Sequence, residues 1–316
     1  MRITITIQRF IPETDVKPRW VDYTVEAGRE TSVLLALLKI KEEIDGSLSF
    51  RASCRAAICG SDLMMINGVQ KLACKTPVLE ELQHHGKLVV GPMANMPVIK
   101  DLIVDMDSFW KKIRAVTPYV VSQNNDKPVH AASLKHIEKD LENADACIMC
   151  GACLSACNSF EVSPEFLGPA ALAKAYRIQV DPRDEIRKER LLLLQDEHGI
   201  WDCVRCVYCV QVCPKDVAPM EQIVRLRRRS IEAGMTQSIG AKHITEFTRV
   251  VGEEGRLNET RLPILMTWGN IKKMFQIIPL GIKMFIHGKS PNPLARPPQG
   301  HDAVRAAETV AAERPQ

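Results

Sequence analysis

Residues 203–214 read CVRCVYCVQVCP, in which four cysteines follow the spacing Cys-x2-Cys-x2-Cys-x3-Cys and a proline comes next. Residues 147–157 read CIMCGACLSAC and repeat that spacing. A doubled run of this kind is the pattern that holds two cubane iron–sulfur clusters. The two runs therefore predict a compact domain built around two such clusters.

The spacing also predicts which cysteines share a cluster. In doubled runs the first three cysteines of a run line one cluster, and the fourth binds the other. One centre is then predicted to have the ligands Cys147, Cys150, Cys153 and Cys213. The other is predicted to have the ligands Cys157, Cys203, Cys206 and Cys209. Zinc is the alternative metal, because Cys-x2-Cys pairs also build zinc ribbons.

A third site is predicted near the N-terminus, where Cys54, Cys59 and Cys74 follow the spacing that holds a [2Fe–2S] cluster in plant-type ferredoxins. The remaining position of that pattern is Asp62, whose carboxylate is a harder ligand than a thiolate. We expect Asp62 to be the fourth ligand; the alternative is a surface aspartate at an open corner, or a site without a cluster. Three clusters with four ligands each need twelve groups, which the 11 cysteines and Asp62 supply together.

Composition predicts a globular protein of a reducing compartment. Of the 316 residues 46% are hydrophobic and 25% charged, enough to bury a core without disulfides. The N-terminus shows no signal peptide, which predicts the cytoplasm, where clustered cysteines bind metal. No apolar run is long enough to span a membrane. A net charge of +4 without a concentrated basic patch argues against nucleic acid as a partner.

These patterns predict an α+β chain of two domains and an extension. Residues 1–106 alternate strand patterns with one helical stretch at 31–44 and should form a β-grasp plant-type ferredoxin domain, with 103–104 as its last strand. Residues 107–235 should form an all-α bacterial-type two-cluster ferredoxin domain. Its helices are predicted at 109–116, 134–142, 170–177, 188–195 and 220–233.

The extension, residues 236–316, differs in composition from both domains. Residues 271–286 are apolar with lysines at 272, 273 and 283, and Pro279 and Gly281 are expected to interrupt this stretch. It fits a membrane surface, a partner subunit, or a helix packed on its own domain. Proline, arginine and alanine dominate after about residue 290, which predicts disorder. The arginines within 225–229 are expected to form a solvated face or a subunit contact.

The order of the two domains resembles the iron–sulfur subunit of succinate dehydrogenase and fumarate reductase, respiratory complex II, over roughly residues 1–235. Some members of that family also have aspartate at the position of Asp62. The shared motifs are SCR at 53–55, CGS at 59–61, LAC at 72–74, PVIKDL at 97–102, GPA at 168–170, AYR at 175–177, RD at 183–184 and CPK at 213–215.

The resemblance implies an electron-transfer subunit of an oxidoreductase of the tricarboxylic acid cycle, with the dicarboxylate chemistry on a partner and no catalytic residue of its own. Electrons would pass between the FAD of a flavoprotein subunit and quinone at a membrane-anchor subunit. The plant-type domain would face the flavin, and the 203–209 cluster would lie nearest the membrane. The chain would be peripheral, on the cytoplasmic face of the cell membrane. A soluble or thiol-dependent fumarate reductase without quinone is the alternative.

Three departures from the family pattern surround the last cluster. The family usually holds a [3Fe–4S] cluster with the residues matching Cys157, Cys203 and Cys209, whereas Cys206 here predicts a second [4Fe–4S] cluster; the alternative is a spare thiol beside [3Fe–4S]. Asn158 stands where proline is frequent, and Val204 where histidine is frequent. These departures predict the variant branch of the family, whose membrane partner is related to heterodisulfide reductase subunits.

Overall fold

The computed structural model of the chain describes residues 1–122, 141, 143–268 and 271–288. The chain divides into two compact units, Met1–Arg229 and Ser230–Gln316. All the predicted metal ligands lie in the first unit. The helix predicted at 134–142 falls outside the described residues except at 141, and the disorder predicted after 290 falls outside them entirely.

A five-stranded sheet with the order β2-β1-β5-β3-β4 begins the first unit. Its strands are β1 (Arg2–Arg9), β2 (Arg19–Glu26), β3 (Leu63–Ile66), β4 (Val69–Leu72) and β5 (Leu88–Gly91). Strand β1 runs antiparallel to β2 and parallel to β5. Because side chains alternate along a strand, Ile3, Ile5 and Ile7 share the buried face. The strands predicted from this alternation are confirmed.

Helix α1 (Val33–Lys39) packs against this sheet and continues as a π-helical turn, Ile40–Ile44. The Ser32 hydroxyl caps α1 by accepting a hydrogen bond from the backbone N–H of Leu35 at 3.2 Å. Leu34 and Leu37 are buried in the same core as β1. A second helix, α2 (Val78–His85), precedes β5. The helix predicted at 31–44 is confirmed, and the mixed sheet with a helix against it is the expected β-grasp arrangement.

Strands β6 (Val98–Lys100) and β7 (Ile103–Val104) form a separate antiparallel pair. The prediction that 103–104 adds a strand to the main sheet is therefore wrong. The turn between β6 and β7 contains Asp101, whose buried carboxylate accepts hydrogen bonds from Arg9 Nε and from the backbone N–H of Ser49, each at 2.9 Å. These bonds fix the turn against the first strand, so β7 folds back on β6.

The rest of the first unit is helical, as predicted. Its helices are α3 (Asp107–Ala115), α4 (Ala152–Ser155), α5 (Asn158–Val162), α6 (Gly168–Gln179), α7 (Arg187–Gln195), α8 (Tyr208–Gln211) and α9 (Pro219–Glu232), the last of which runs past the division between the units. Helix α6 is buried along most of its length. The guanidinium of Arg190 in α7 forms a buried ion pair with Asp184. It also donates hydrogen bonds to the carbonyl oxygens of Val116 and Thr117, and these bonds fix the segment that follows α3 against α7.

The second unit has three further described helices, α10 (Ile239–Glu254), α11 (Arg261–Thr267) and α12 (Ile271–Ile286). Ser238 caps the start of α10, and Gly255, with a φ of 65°, ends it in the left-handed region. Helix α12 continues through Pro279 and Gly281, so the predicted interruption there is wrong. In the described part of the chain no helix is both long and apolar enough to cross a membrane.

Candidate metal centres

The loop that carries Cys54 and Cys59 directs its backbone N–H groups at sulfur. Cys54 Sγ accepts hydrogen bonds from the N–H groups of Ala56, Ile58 and Cys59, at 3.4, 3.4 and 3.3 Å. Cys74 Sγ accepts one from the N–H of Ala57 at 3.3 Å. Such donors stabilise negative charge on sulfur, so the loop fits an anionic iron–sulfur cluster.

This loop achieves that arrangement with an unusual backbone. Arg55 and Ala57 have φ values of 56° and 57°, and Gly60 has a φ of 73°. A Cβ atom on Gly60 would lie 2.6 Å from the Cβ of Cys150, a distance that no side chain tolerates. Glycine is therefore required here both for its positive φ and for its close approach to the next cysteine run.

Asp62 lies at this site and is buried, with 2% of its surface exposed, so the alternative of a surface aspartate is wrong. Its carboxylate accepts a hydrogen bond from the backbone N–H of Cys74. Burial, and then the hydrogen bond from that thiol to Asp62, raise the pKa of the Cys74 thiol to about 11. The Ser61 hydroxyl, and then backbone N–H groups, lower the pKa of Cys59 to about 6. The structure thus brings Asp62 and Cys74, which follows β4, against the loop that carries Cys54 and Cys59.

The run from 147 to 157 forms a turn followed by the short helix α4. Met149 has a φ of 57° and Gly151 a φ of 85°, which bend the chain between successive cysteines. One cavity is lined by four of the predicted ligands together with α6 residues. These ligands are Cys147, Cys150, Cys153 and Cys213. The fourth cysteine of the second run therefore lies with the first three of the first run, as the spacing predicts.

The run from 203 to 213 repeats this backbone. Arg205 and Val207, with φ values of 56° and 72°, occupy the positions of Met149 and Gly151, and the short helix α8 follows as α4 does. Burial, and then negative charge on Cys203, Cys157 and Cys206, raise the pKa of Cys209 to about 12. The second run thus has the local backbone of the first, with Cys209 as its buried thiol.

Two buried thiols of the first run are hard to ionise without a cation. Burial, and then the charges of neighbouring cysteines, raise the pKa of Cys150 to about 11 and that of Cys153 well above its usual range. Bound metal cations remove this penalty by neutralising the thiolates. The donor set thus fits the clusters. Within the described residues no group of three or more His, Cys, Asp or Glu side chains is placed around a single metal ion.

Two amides of the N-terminal sheet region hold the first run in place. Asn95 Nδ2 donates to the carbonyl oxygens of Leu154, Ser155 and Cys157 at 3.3, 3.1 and 3.2 Å. Gln70 Nε2 donates to Ser155 Oγ at 3.2 Å, and both side chains are buried. The sequence offered no signal for either contact, because the partners lie about sixty and more residues apart.

Arg227 plays the corresponding part at the second run. Its guanidinium is buried over the ring of Trp201 and donates to the carbonyl oxygens of Ile200 and Cys203, at 2.8 and 2.7 Å. The expectation of a solvated or subunit-contacting arginine is therefore wrong for Arg227, because α9 turns this residue inward, whereas Arg228 is exposed. Desolvation lowers the pKa of Arg227, and negative charge on Cys203 opposes that shift.

Comparison with known families agrees with these sites. The family described as 2Fe-2S iron-sulfur cluster binding domain matches residues 4–111, and the family described as 4Fe-4S dicluster domain matches residues 143–217. The predicted [2Fe–2S] and [4Fe–4S] cofactors are thereby confirmed, and the zinc alternative is wrong. The α+β fold class, a ferredoxin domain followed by a helical two-cluster region, is confirmed as well.

Curated relatives extend the match over most of the chain. The fumarate reductase iron-sulfur subunit of Haemophilus influenzae is 38% identical over 233 residues, covering 70% of this chain and 90% of the relative. The corresponding subunit of Mycobacterium tuberculosis is 39% identical, covering 72% and 92%. The succinate dehydrogenase iron-sulfur subunit of Coxiella burnetii is 34% identical, covering 73% and 97%.

A solved structure shares the fold. A chain of the Mycobacterium smegmatis Sdh1 complex in the apo form superposes with a TM-score of 0.65 at 23% identity, covering 73% of this chain and 96% of that one. The three relatives are 34–39% identical to this chain, and the match covers at least 90% of each of them. The chain belongs to the family of iron–sulfur subunits of fumarate reductase and succinate dehydrogenase.

Proposed function

We propose that this chain is the electron-transfer subunit of a succinate:quinone or quinol:fumarate oxidoreductase. The family to which it belongs supplies the class of reaction, and the dicarboxylate chemistry lies on a flavoprotein partner. The clusters, when bound, supply one-electron redox centres between the flavin and quinone. The chain itself holds these centres, excludes water from them and sets the charge around them.

One observation carries this proposal: the binding sites adjoin one another. The first loop approaches the second site so closely that only glycine fits at Gly60, beside Cys150. The second site in turn adjoins the run that begins at Cys203, because Cys213 of that run lines the second site together with Cys147, Cys150 and Cys153. A chain that only needed stable metal sites would gain nothing from this contact between them, whereas a conductor of electrons requires it.

The proposed ligands follow from the neighbours described above. Those of the [2Fe–2S] cluster are Cys54, Cys59, Asp62 and Cys74. Those of the [4Fe–4S] cluster are Cys147, Cys150, Cys153 and Cys213. Those of the last cluster are Cys157, Cys203, Cys206 and Cys209, which makes it a second [4Fe–4S] cluster.

Asp62 is the ligand that needs its own test. The Asp62→Ala variant removes the carboxylate, and Asp62→Cys restores the usual plant-type set. We expect Asp62→Ala to weaken or abolish the EPR signal of the reduced [2Fe–2S] cluster and Asp62→Cys to keep the cluster with an altered spectrum. A wild-type spectrum in Asp62→Ala would remove Asp62 from the ligand set.

The partners proposed are an FAD-containing flavoprotein and a quinone-reactive membrane subunit, which place the chain peripherally at the cytoplasmic face of the cell membrane. We further propose the variant branch with the heterodisulfide-reductase-like partner. Cys206, Asn158 and Val204 support that choice, since all three depart from the usual pattern near the last cluster. The three-part division at 1–106, 107–235 and 236–316 is proposed with it; α3 begins at Asp107, next to the first of these boundaries.

Purification of the complex from membranes tests the function. We expect the chain to copurify with a flavoprotein and to be reduced by succinate and reoxidised by a quinone. Gly60→Ala forces the first loop away from Cys150 and is expected to slow that electron transfer with all clusters present. A soluble complex that uses thiols instead of quinone would contradict the proposal, and haem b in a four-helix anchor would contradict the variant branch.

A further inference from the structure

Helix α12 has an exposed apolar side between Phe275 and Ile286. Phe275, Ile278, Ile282, Phe285 and Ile286 follow one another at intervals of three, four, three and one residues, which places them on one face of a helix. Their exposed fractions are 64, 45, 55, 75 and 73%. Apolar side chains on a globular surface occur singly, so a continuous face of this kind indicates a binding surface.

A second side of α12 is polar and basic. Lys272, Gln276, Lys283 and His287 recur at intervals of four, seven and four residues, and all four are exposed. Between Arg261, which is paired with Glu253 and Glu254, and Asp302 the sequence contains five lysines or arginines and no acidic residue. The polar side of the helix therefore carries positive charge that nothing in this part of the sequence neutralises.

We propose that α12 lies on an anionic lipid surface. Such a surface can bind both sides of the helix. The phenylalanine and isoleucine side chains enter the lipid at the edge of the acyl chains, and the lysine ammonium groups reach the lipid phosphates. A protein groove would cover one narrow apolar stripe, whereas Ile277 and Leu280 are exposed outside the stripe as well. Because basic residues recur along the whole helix, α12 lies parallel to the surface instead of entering it end-on.

Trp268 supports this placement. It lies three residues before α12 in the sequence and is 71% exposed. Tryptophan is among the side chains that most favour the boundary between lipid and water. The matched families end at residue 217, so neither cluster domain accounts for this surface. The inference does not rest on the proposed electron transfer, since lipid binding is measured without a redox partner.

Vesicle cosedimentation of the purified full-length chain with its clusters tests the inference. We expect binding to phosphatidylcholine vesicles that contain phosphatidylglycerol, a blue shift of tryptophan fluorescence that Trp268→Phe removes, and little binding to phosphatidylcholine alone. Phe285→Asp should weaken binding about tenfold or more. Val16→Asp is the matched control, since Val16 is 95% exposed in a turn of the N-terminal region, and it should bind as wild type does.

A second variant keeps the test valid if Phe285→Asp loses its clusters. Lys283→Gln retains the apolar face and should weaken binding to anionic vesicles about fivefold, with a smaller dependence on salt. The inference is overturned if wild type does not bind anionic vesicles, or if Phe285→Asp and Lys283→Gln bind as wild type does. It is equally overturned if wild type ignores vesicles while Phe285→Asp loses a protein partner or changes oligomeric state.

Discussion

The two cysteine runs share a backbone but differ in their surroundings. Each turns through positive φ at its second and fourth positions after the first cysteine and then enters a short helix. No residue of 147–157 is exposed. In the second run, by contrast, four residues are exposed, namely Val204, Arg205, Val207 and Tyr208. Spacing thus dictates the local fold of a cluster loop, and the neighbouring elements dictate its burial.

The difference is clearest at one equivalent position. A Cβ atom on Gly151 would lie 3.2 Å from the terminal methyl groups of both Met96 and Met106, so neighbouring side chains close over this loop. Val207 adopts the same left-handed conformation with its side chain partly in solvent. The enclosed run packs beside the first loop at Gly60, and the exposure of the open run fits the end of the proposed chain of redox centres.

The largest expected effect comes from giving the enclosed run the residue of the open one. Gly151→Val places a β-branched residue at positive φ, which costs about 1–2 kcal/mol, and crowds the methionines, which costs about 1–3 kcal/mol. We expect the free energy of unfolding to fall by about 2–5 kcal/mol. Denaturant titration followed by cluster absorbance measures this loss. An unchanged midpoint would show that the two loops are equally open.

The next test removes the contact that holds the enclosed run. Asn95→Leu removes the side-chain donor from three backbone carbonyls, of which those of Leu154 and Cys157 keep a backbone N–H donor. We expect a fall of about 1–3 kcal/mol in the free energy of unfolding, because the buried carbonyl of Ser155 loses its donor.

Asn158→Leu is the control for that variant, since Asn158 is exposed just beyond the same run. It should change the stability by less than about 0.5 kcal/mol. Equal losses in the two variants would mean that Asn95 does not position the run.

A subtler test addresses the charge beside the open run. Arg227→Gln removes a buried cation next to Cys203, so adding an electron to the last cluster becomes less favourable. We expect its reduction potential to fall by several tens of millivolts in an EPR-monitored redox titration. Arg228→Gln removes the same charge from an exposed neighbour and should leave the potential unchanged. Equal shifts would assign the effect to net charge alone.

The smallest effect is the reverse of the first exchange. Val207→Gly removes the steric strain of a β-branched side chain at positive φ. The larger loss of conformational entropy that glycine undergoes on folding offsets part of this gain in stability. We expect a gain of up to about 1 kcal/mol in the free energy of unfolding, measured as for Gly151→Val. A loss instead would show that the Val207 side chain makes contacts that the open run needs.

Sequence reasoning succeeded where the information is local. The spacing within each cysteine run predicted Cys213 beside Cys147, and both line one cavity. The placement of Cys157 beside Cys209 stays a prediction. Alternation along β1 predicted its buried face. Both patterns are read from residues a few positions apart in the sequence.

It failed where a distant contact decides the outcome. The charge pattern of 225–229 was compatible with a solvated face, and only the packing of α9 beside Trp201 buries Arg227. The segment 103–104 has the composition of a sheet strand, but Asp101 is fixed by Arg9 and turns it onto β6. Neither Arg227 nor Arg9 has a partner that periodicity or propensity could identify.

We propose that the chain holds three clusters and that Cys206 completes the last one. EPR of the purified complex tests this most directly, in the oxidised and the reduced state. We expect no sharp [3Fe–4S] signal in the oxidised wild type, interacting [4Fe–4S] signals on reduction, and a new [3Fe–4S] signal in Cys206→Ala. A [3Fe–4S] signal in the oxidised wild type that Cys206→Ala leaves unchanged would contradict it.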